Sequence, residues 1–173
     1  MIAIGEKATP VTLPDTSGTE HSFPNGGPTV VVFTCNHCPY ALAWHDRLLA
    51  VADEYGEQGV TTLFVNPNDA ERYPRDSFEA MRERVEREGP WAAPYLHDAT
   101  QEVARAWDAK TTPDVYVFDA AGALVYRGAP DDDHMDEQQN ASWLRAALDA
   151  VLEGREVAEP ETTPVGCSVK WKA

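Results

Sequence analysis

Pro28-Thr-Val-Val-Val-Phe-Thr-Cys-Asn-His-Cys-Pro-Tyr40 decides how the rest of the chain is read. Val30 to Phe33 is an uninterrupted apolar, largely β-branched run, the pattern of a central strand buried on both faces. Beyond Cys38 the period changes. Apolar residues at 41, 42, 48, 49, 52 and 55 recur at three- and four-residue intervals, with Asp46, Arg47, Asp53 and Glu54 between them, which predicts an amphipathic helix. Pro39 suits its first turn, where a missing N–H is harmless, and Gly56 or Gly59 can stop it. Val60 to Val65 reads as the next strand, closed by Pro67. A strand, a helix and a strand within about 35 residues predict a right-handed parallel βαβ unit.

Outward from this unit, residues 1 to 29 read as an entrance in which Val11 to Leu13 and Thr19 to Phe23 can pair as a hairpin around the turn Asp15-Thr-Ser-Gly18. Residues 66 to 95 form a helical insertion: Ser77 can cap a helix with Phe78, Met81 and Val85 on one side. Its pairs Arg82/Glu86, Glu83/Arg87 and Arg84/Glu88 are expected to face solvent. Thr100 to Trp107 reads as a short helix with Val103, Ala104 and Trp107 inward. Val115 to Phe118 and Ala123 to Arg127 predict a hairpin through Asp119-Ala-Ala-Gly122, and a last helix spans about Ala141 to Leu152. Residues 154 to 173 read as a tail, either packed on the domain or loosely attached.

Length and charge bound the function. With 173 residues the chain is expected to form one domain, 1–173. Asp plus Glu number 29 against 14 Lys plus Arg, a net charge of −15, and an acidic surface lacks the basic face that nucleic acid or an anionic membrane requires. The longest apolar run is far shorter than the roughly 20 residues of a membrane helix, and the start MIAIGEKATP has no secretory pattern. A cytoplasmic protein is expected. Three cysteines are too few for a secreted disulfide framework, so their placement matters more than their number.

Cys35 and Cys38 stand at the strand-to-helix junction. A helix N-terminus offers unpaired N–H groups and partial positive charge, which stabilise a thiolate. Cys35 is therefore expected to be the exposed attacking sulfur with a lowered pKa. Cys38, one turn on and more buried, would resolve the mixed disulfide. His37, as an imidazolium, would support the thiolate and make the disulfide a stronger oxidant. A structural Cys₄ zinc site would need two more cysteines, and only Cys167 remains. A mixed site of Cys35, Cys38, Cys167 and a histidine is the metal-binding alternative.

These residues, together with Thr112-Pro113 directly before Val115-Tyr-Val-Phe118 and Gly122-Ala-Leu-Val-Tyr-Arg-Gly128, resemble the thioredoxin superfamily. The resemblance implies an α/β fold with a central mixed sheet flanked by helices. It also implies a cis Pro113 beside the active cysteines, with Thr112 pairing to a substrate backbone and Asn36 and Pro39 bordering the same substrate site. More narrowly, Phe33 to Tyr40, Val65-Asn-Pro-Asn68, Pro94-Tyr-Leu-His-Asp98, Tyr126-Arg-Gly128 and Gly166-Cys-Ser-Val-Lys-Trp171 resemble the redoxin branch related to alkyl hydroperoxide reductase and thiol-specific antioxidant proteins. Peroxiredoxins in that branch carry Pro-x-x-x-Thr-x-x-Cys. Aligned on Cys35, this chain has Pro28 but Val32 in place of the threonine. Thiol-disulfide exchange without a cofactor is thus the expected activity, with thiol peroxidase as the alternative. Its partners would be protein or small-molecule disulfides and thiols and a recycling reductase, and the chain a monomer or weak dimer.

Other residues have competing readings. Cys167 is either a further resolving cysteine or a thiol that fastens the tail. Asp131-Asp-Asp-His-Met-Asp-Glu137 is expected to be a solvated loop rather than a cation site, since it lacks the spacing of a calcium loop. Of Trp44 and His45, only one is expected to face inward. Asp98 reads as a helix cap more readily than as a proton acceptor.

Overall fold

The computed structural model describes residues 1–173. Along the chain the elements are β1 (Val11–Pro14), β2 (Glu20–Phe23), β3 (Thr29–Phe33), α1 (Pro39–Gly56) and β4 (Thr61–Asn66). A 3₁₀ turn (Pro74–Asp76), α2 (Phe78–Glu88), β5 (Tyr95–His97), α3 (Glu102–Trp107) and β6 (Thr111–Thr112) follow. The last four are β7 (Asp114–Phe118), β8 (Leu124–Gly128), α4 (Ser142–Leu152) and β9 (Cys167–Ser168). The main sheet has five strands in the order β5-β4-β3-β7-β8. β3 pairs parallel with β4 and antiparallel with β7, so it is the central strand that its apolar run predicts, and the sheet is mixed.

Alternation along β3 assigns each residue to one of two layers. Val30 and Val32 pack with Trp44, Leu48 and Val51 of α1 and with Leu144 and Leu148 of α4. Val31 and Phe33 point the other way, toward Phe23, Val103 and Trp107. Burying side chains of this size contributes about 1.5–3 kcal/mol each, and both layers close over the same strand. The 36–38 segment therefore emerges from a fully covered strand end and leads directly into α1, whose first residue is Pro39. The carbonyl of Cys38 accepts the first bond of that helix, from the Leu42 N–H at 3.0 Å.

Three local expectations are corrected by packing. Arg84 does not face solvent: it is 3% exposed, because α2 lies over the sheet end and turns Arg84 under itself, while Ser77 caps the helix by accepting from the Ala80 N–H. Trp44 and His45 are both buried. α1 is covered on two flanks, so Trp44 reaches the Asp131 loop, where its indole N–H donates to Asp131 at 2.8 Å, and His45 meets Trp91 and Phe64.

The acidic loop is not simply solvated either. Asp131 is 1% exposed, and the Arg47 guanidinium fills the loop's centre, donating to the Asp131 carboxylate and to the carbonyls of Asp133, His134 and Asp136. Asp98 caps α3 through the N–H groups of Val103 and Ala104. The tail is packed: β9 pairs antiparallel with β6, and Val169 is buried. No helix is long and apolar enough to cross a membrane.

Candidate active site

Cys35, Cys38 and Cys167 are free thiols that converge below the C-terminal end of β3. The expectation of an exposed Cys35 is corrected: Cys35 is 1% and Cys38 0% exposed, and Cys167 is the accessible member, half-buried. Long-range segments cover the junction. Thr112 shares a hydrogen bond with Cys35 through its hydroxyl at 3.3 Å, and its carbonyl oxygen lies 3.1 Å from the Cys38 sulfur. The Thr112–Pro113 peptide is cis, as is Phe23–Pro24.

Electrostatics differ from the simple helix-terminus picture. Cys35 is pushed up by its thiol's hydrogen bond to Cys38, by burial and by the Asp76 carboxylate beside it. Cys38 is lowered, because its sulfur collects the Cys35 thiol, the Cys167 thiol and the N–H groups of Ala41 and Cys167. The two shifts run opposite to the helix-terminus expectation, which lowers the first cysteine. Cys167 is pushed up to about 11 by burial and by its bond to Cys38.

The residues that border the pair came from sequence in part only. His37 Nδ1 lies 2.7 Å from the Asp76 carboxylate, and its ring stacks on Tyr73. Asn36 was expected to border substrate, but its side chain turns inward: its carbonyl accepts from Tyr95 at 2.8 Å and from Arg84 at 3.1 Å, and its amide donates to the Arg75 carbonyl. The reason is that a buried amide must fill its hydrogen-bonding capacity within the protein. Pro39 remains exposed. The backbone edge of Thr112, expected to meet a substrate chain, is occupied by the protein's own tail, which pairs Thr112 with Cys167.

Sequence reasoning missed Asp76, Arg84 and Tyr95. Asp76 is 0% exposed and accepts from the Asn36 N–H at 2.7 Å and from the amides of Asn66 at 3.2 Å and Asn68 at 2.9 Å. Arg84 also donates to the Cys35 carbonyl and pairs with Glu88 while lying over Trp91. An Asp within a charged insertion gives no signal of its own. Val65-Asn-Pro-Asn68 did carry one, since two amides flanking a proline after a buried strand need an acceptor.

Donor atoms of Cys35, His37 and Asp76 lie within 4.8 Å of one another. Asp76 already accepts from three N–H donors and lies 2.7 Å from His37 Nδ1, so most of its lone pairs are committed within the protein. The mixed site of Cys35, Cys38, Cys167 and a histidine is not the group brought together within that distance.

The sequence pattern described as the AhpC/TSA family matches residues 4–127. A crystal structure of an uncharacterized conserved protein from Geobacillus kaustophilus superposes with a TM-score of 0.92 at 42% identity, over 99% of this chain and 94% of that one. A hypothetical protein from Sinorhizobium meliloti 1021 gives 0.92 at 34% identity, over 100% and 97% of the two chains. Peroxidoxin BcpB from Mycobacterium tuberculosis shares the fold at 18% identity, TM-score 0.64, over 89% and 98%. None of the curated proteins matches the chain. The sheet order, the paired cysteines at the head of α1 and a family match across most of the sequence converge: this chain belongs to the AhpC/TSA family, on a thioredoxin-like fold.

Proposed function

We propose that this protein is a thiol-disulfide oxidoreductase in which Cys35 attacks and Cys38 resolves. The observation that carries the reading is the packing of the two thiols together at the head of α1, both against Thr112. Loss of the Cys35 proton leaves Cys35 as the thiolate. That thiolate attacks a sulfur of a partner disulfide, one partner thiolate leaves, and Cys38 then attacks the Cys35 sulfur. The second partner thiolate departs and a Cys35–Cys38 disulfide remains. His37, held by Asp76, supports negative charge at Cys35, and Pro113 with Thr112 forms the wall against which the two sulfurs rest. Partners are protein or small-molecule disulfides, with a dithiol reductase class of protein to restore the pair, and the chemistry needs no cofactor.

Val32 favours this reading over peroxide reduction. It stands where the peroxidase pattern has a threonine, and it is fully buried against α1 and α4, so no hydroxyl is offered to a peroxide. The test is reduction of insulin disulfides with dithiothreitol as recycling thiol. Cys38→Ser should accumulate mixed disulfides through Cys35, and Cys35→Ser should lose turnover at least a hundredfold. Rapid consumption of hydrogen peroxide by a wild type that reduces no disulfide overturns the reading in favour of a peroxidase.

A further inference from the structure

The third thiol is not needed to fasten the tail, because the backbone does that. The Val169 N–H donates to the Lys110 carbonyl at 3.1 Å, the Lys170 N–H to Asn68 at 2.9 Å, and the Asp69 N–H to the Lys170 carbonyl at 2.8 Å. Gln101 donates to the Lys170 carbonyl and accepts from the Lys172 N–H, and Arg105 lies over Trp171. Gly166 approaches the Thr112 carbonyl so closely that a side chain there would overlap it. These contacts hold residue 167, paired with Thr112, against the cluster formed by Cys35 and Cys38. The three cysteines therefore pack as one cluster, with Cys35 and Cys38 buried and Cys167 half-buried at its edge.

We propose that Cys167 is a third redox cysteine, which moves the disulfide from the buried Cys35–Cys38 pair to an accessible Cys38–Cys167 pair. This rests on the exchange activity proposed above. The Cys167 thiolate attacks the Cys38 sulfur, a Cys38–Cys167 bond forms, and the Cys35–Cys38 bond breaks. The electron pair passes to Cys35, which takes up the proton that Cys167 gave up, so no external oxidant or reductant enters. One thiolate of a recycling dithiol then attacks Cys167 at the surface and releases Cys38; the partner's second thiolate attacks its own bridged sulfur and releases Cys167, leaving all three cysteines reduced and the partner oxidised. The substrate and the recycling thiol are thereby met at different cysteines of one cluster. Once Cys38 is in a disulfide, its hydrogen bond and charge no longer raise Cys167, and the attacking thiol is easier to ionise.

The test uses the full chain and has two readouts. First, Cys35→Ser is treated with one equivalent of a small aromatic disulfide, and the expected result is two equivalents of released aromatic thiolate and a Cys38–Cys167 cross-link in the peptide map. Release of one equivalent, with the aryl group left on a single cysteine, overturns the relay. Second, Cys167→Ser and Cys167→Ala should reduce insulin at least tenfold more slowly than wild type under thiol-limited recycling. Their thermal midpoints should be unchanged, and both should still form the Cys35–Cys38 disulfide. A rate within twofold of wild type overturns the proposal and leaves the Cys35–Cys38 reading standing. A wild type inert toward every disulfide sinks that reading instead, and the cross-link in Cys35→Ser is scored independently of it.

Discussion

The two sides of the sulfur cluster are built in different ways. On one side the junction from Phe33 to Pro39 is contiguous: a strand end, two thiols and a helix start, each placed by its neighbours in sequence. On the other side Asp76, Arg84 and Tyr95 arrive from α2 and its flanks, and Cys167 arrives from the tail. The junction supplies reactive atoms. The distant segments decide which sulfur is exposed and which backbone edge is free. Similar cysteine spacings on similar folds can therefore differ in chemistry through segments far away in the chain.

Asp76 offers the strongest way to break the distant side. Removing its carboxylate in Asp76→Ala strands the Asn36 N–H and two buried amides, and each unsatisfied donor costs about 1–3 kcal/mol. A loss on the order of 4 kcal/mol is expected in urea unfolding. Asp76→Asn keeps the volume and removes the charge that raises Cys35, so the pH midpoint of Cys35 alkylation should fall. An unchanged midpoint would mean that the carboxylate does not act on the sulfur.

Asp114 tests the strand beside Pro113. It is 0% exposed with one oxygen unpartnered, and burial pushes its carboxyl up from 3.8 to about 7. A group that binds its proton more tightly when folded contributes stability that is complete below its unfolded pKa. That stability is lost as pH rises through the folded one. Unfolding midpoints in urea should thus fall between about pH 4 and pH 7 and then level off. Asp114→Asn should flatten that profile, with a gain on the order of 2 kcal/mol at pH 8; a profile as steep as wild type would show that another group is responsible.

Gly166→Ala sharpens the comparison at the tail. Its methyl group meets the Thr112 carbonyl, so the tail should detach at a cost of about 1–2 kcal/mol, and alkylation of Cys167 should speed up at least tenfold. Equal alkylation rates would mean that the tail yields without leaving. The smallest effect is expected at Arg82, exposed two residues before the buried Arg84: Arg82→Ala should shift stability by less than about 0.5 kcal/mol. Arg84→Met should cost several times more, because the Cys35 carbonyl and the Asn36 side chain both accept from it.

Much of this architecture was legible because it depends on short-range patterns. The run Val30 to Phe33 is buried on both faces wherever it sits, and the change of period after Cys38 can only be a helix start. The strands Tyr95–His97, Thr111–Thr112 and Cys167–Ser168 were not legible: two or three residues carry no period, and they exist only because another backbone edge is available to pair with. Arg84 was misread for a related reason. On an isolated helix a charged i,i+4 pair points to solvent, and only the presence of Trp91, Tyr95 and the Asn36 carbonyl makes an inward guanidinium favourable.

Sequence by itself determined the central strand and the nearness of Cys35 and Cys38, which follow from period and spacing over a dozen neighbouring residues, and the fold class, which the resemblance of its motifs implied. Tertiary structure decided the burial of both thiols, the inward turn of Arg84 and the seating of Cys167 against the pair. Those properties depend on which groups approach within hydrogen-bonding distance, and groups 40 to 130 positions apart are brought there only by the packed chain.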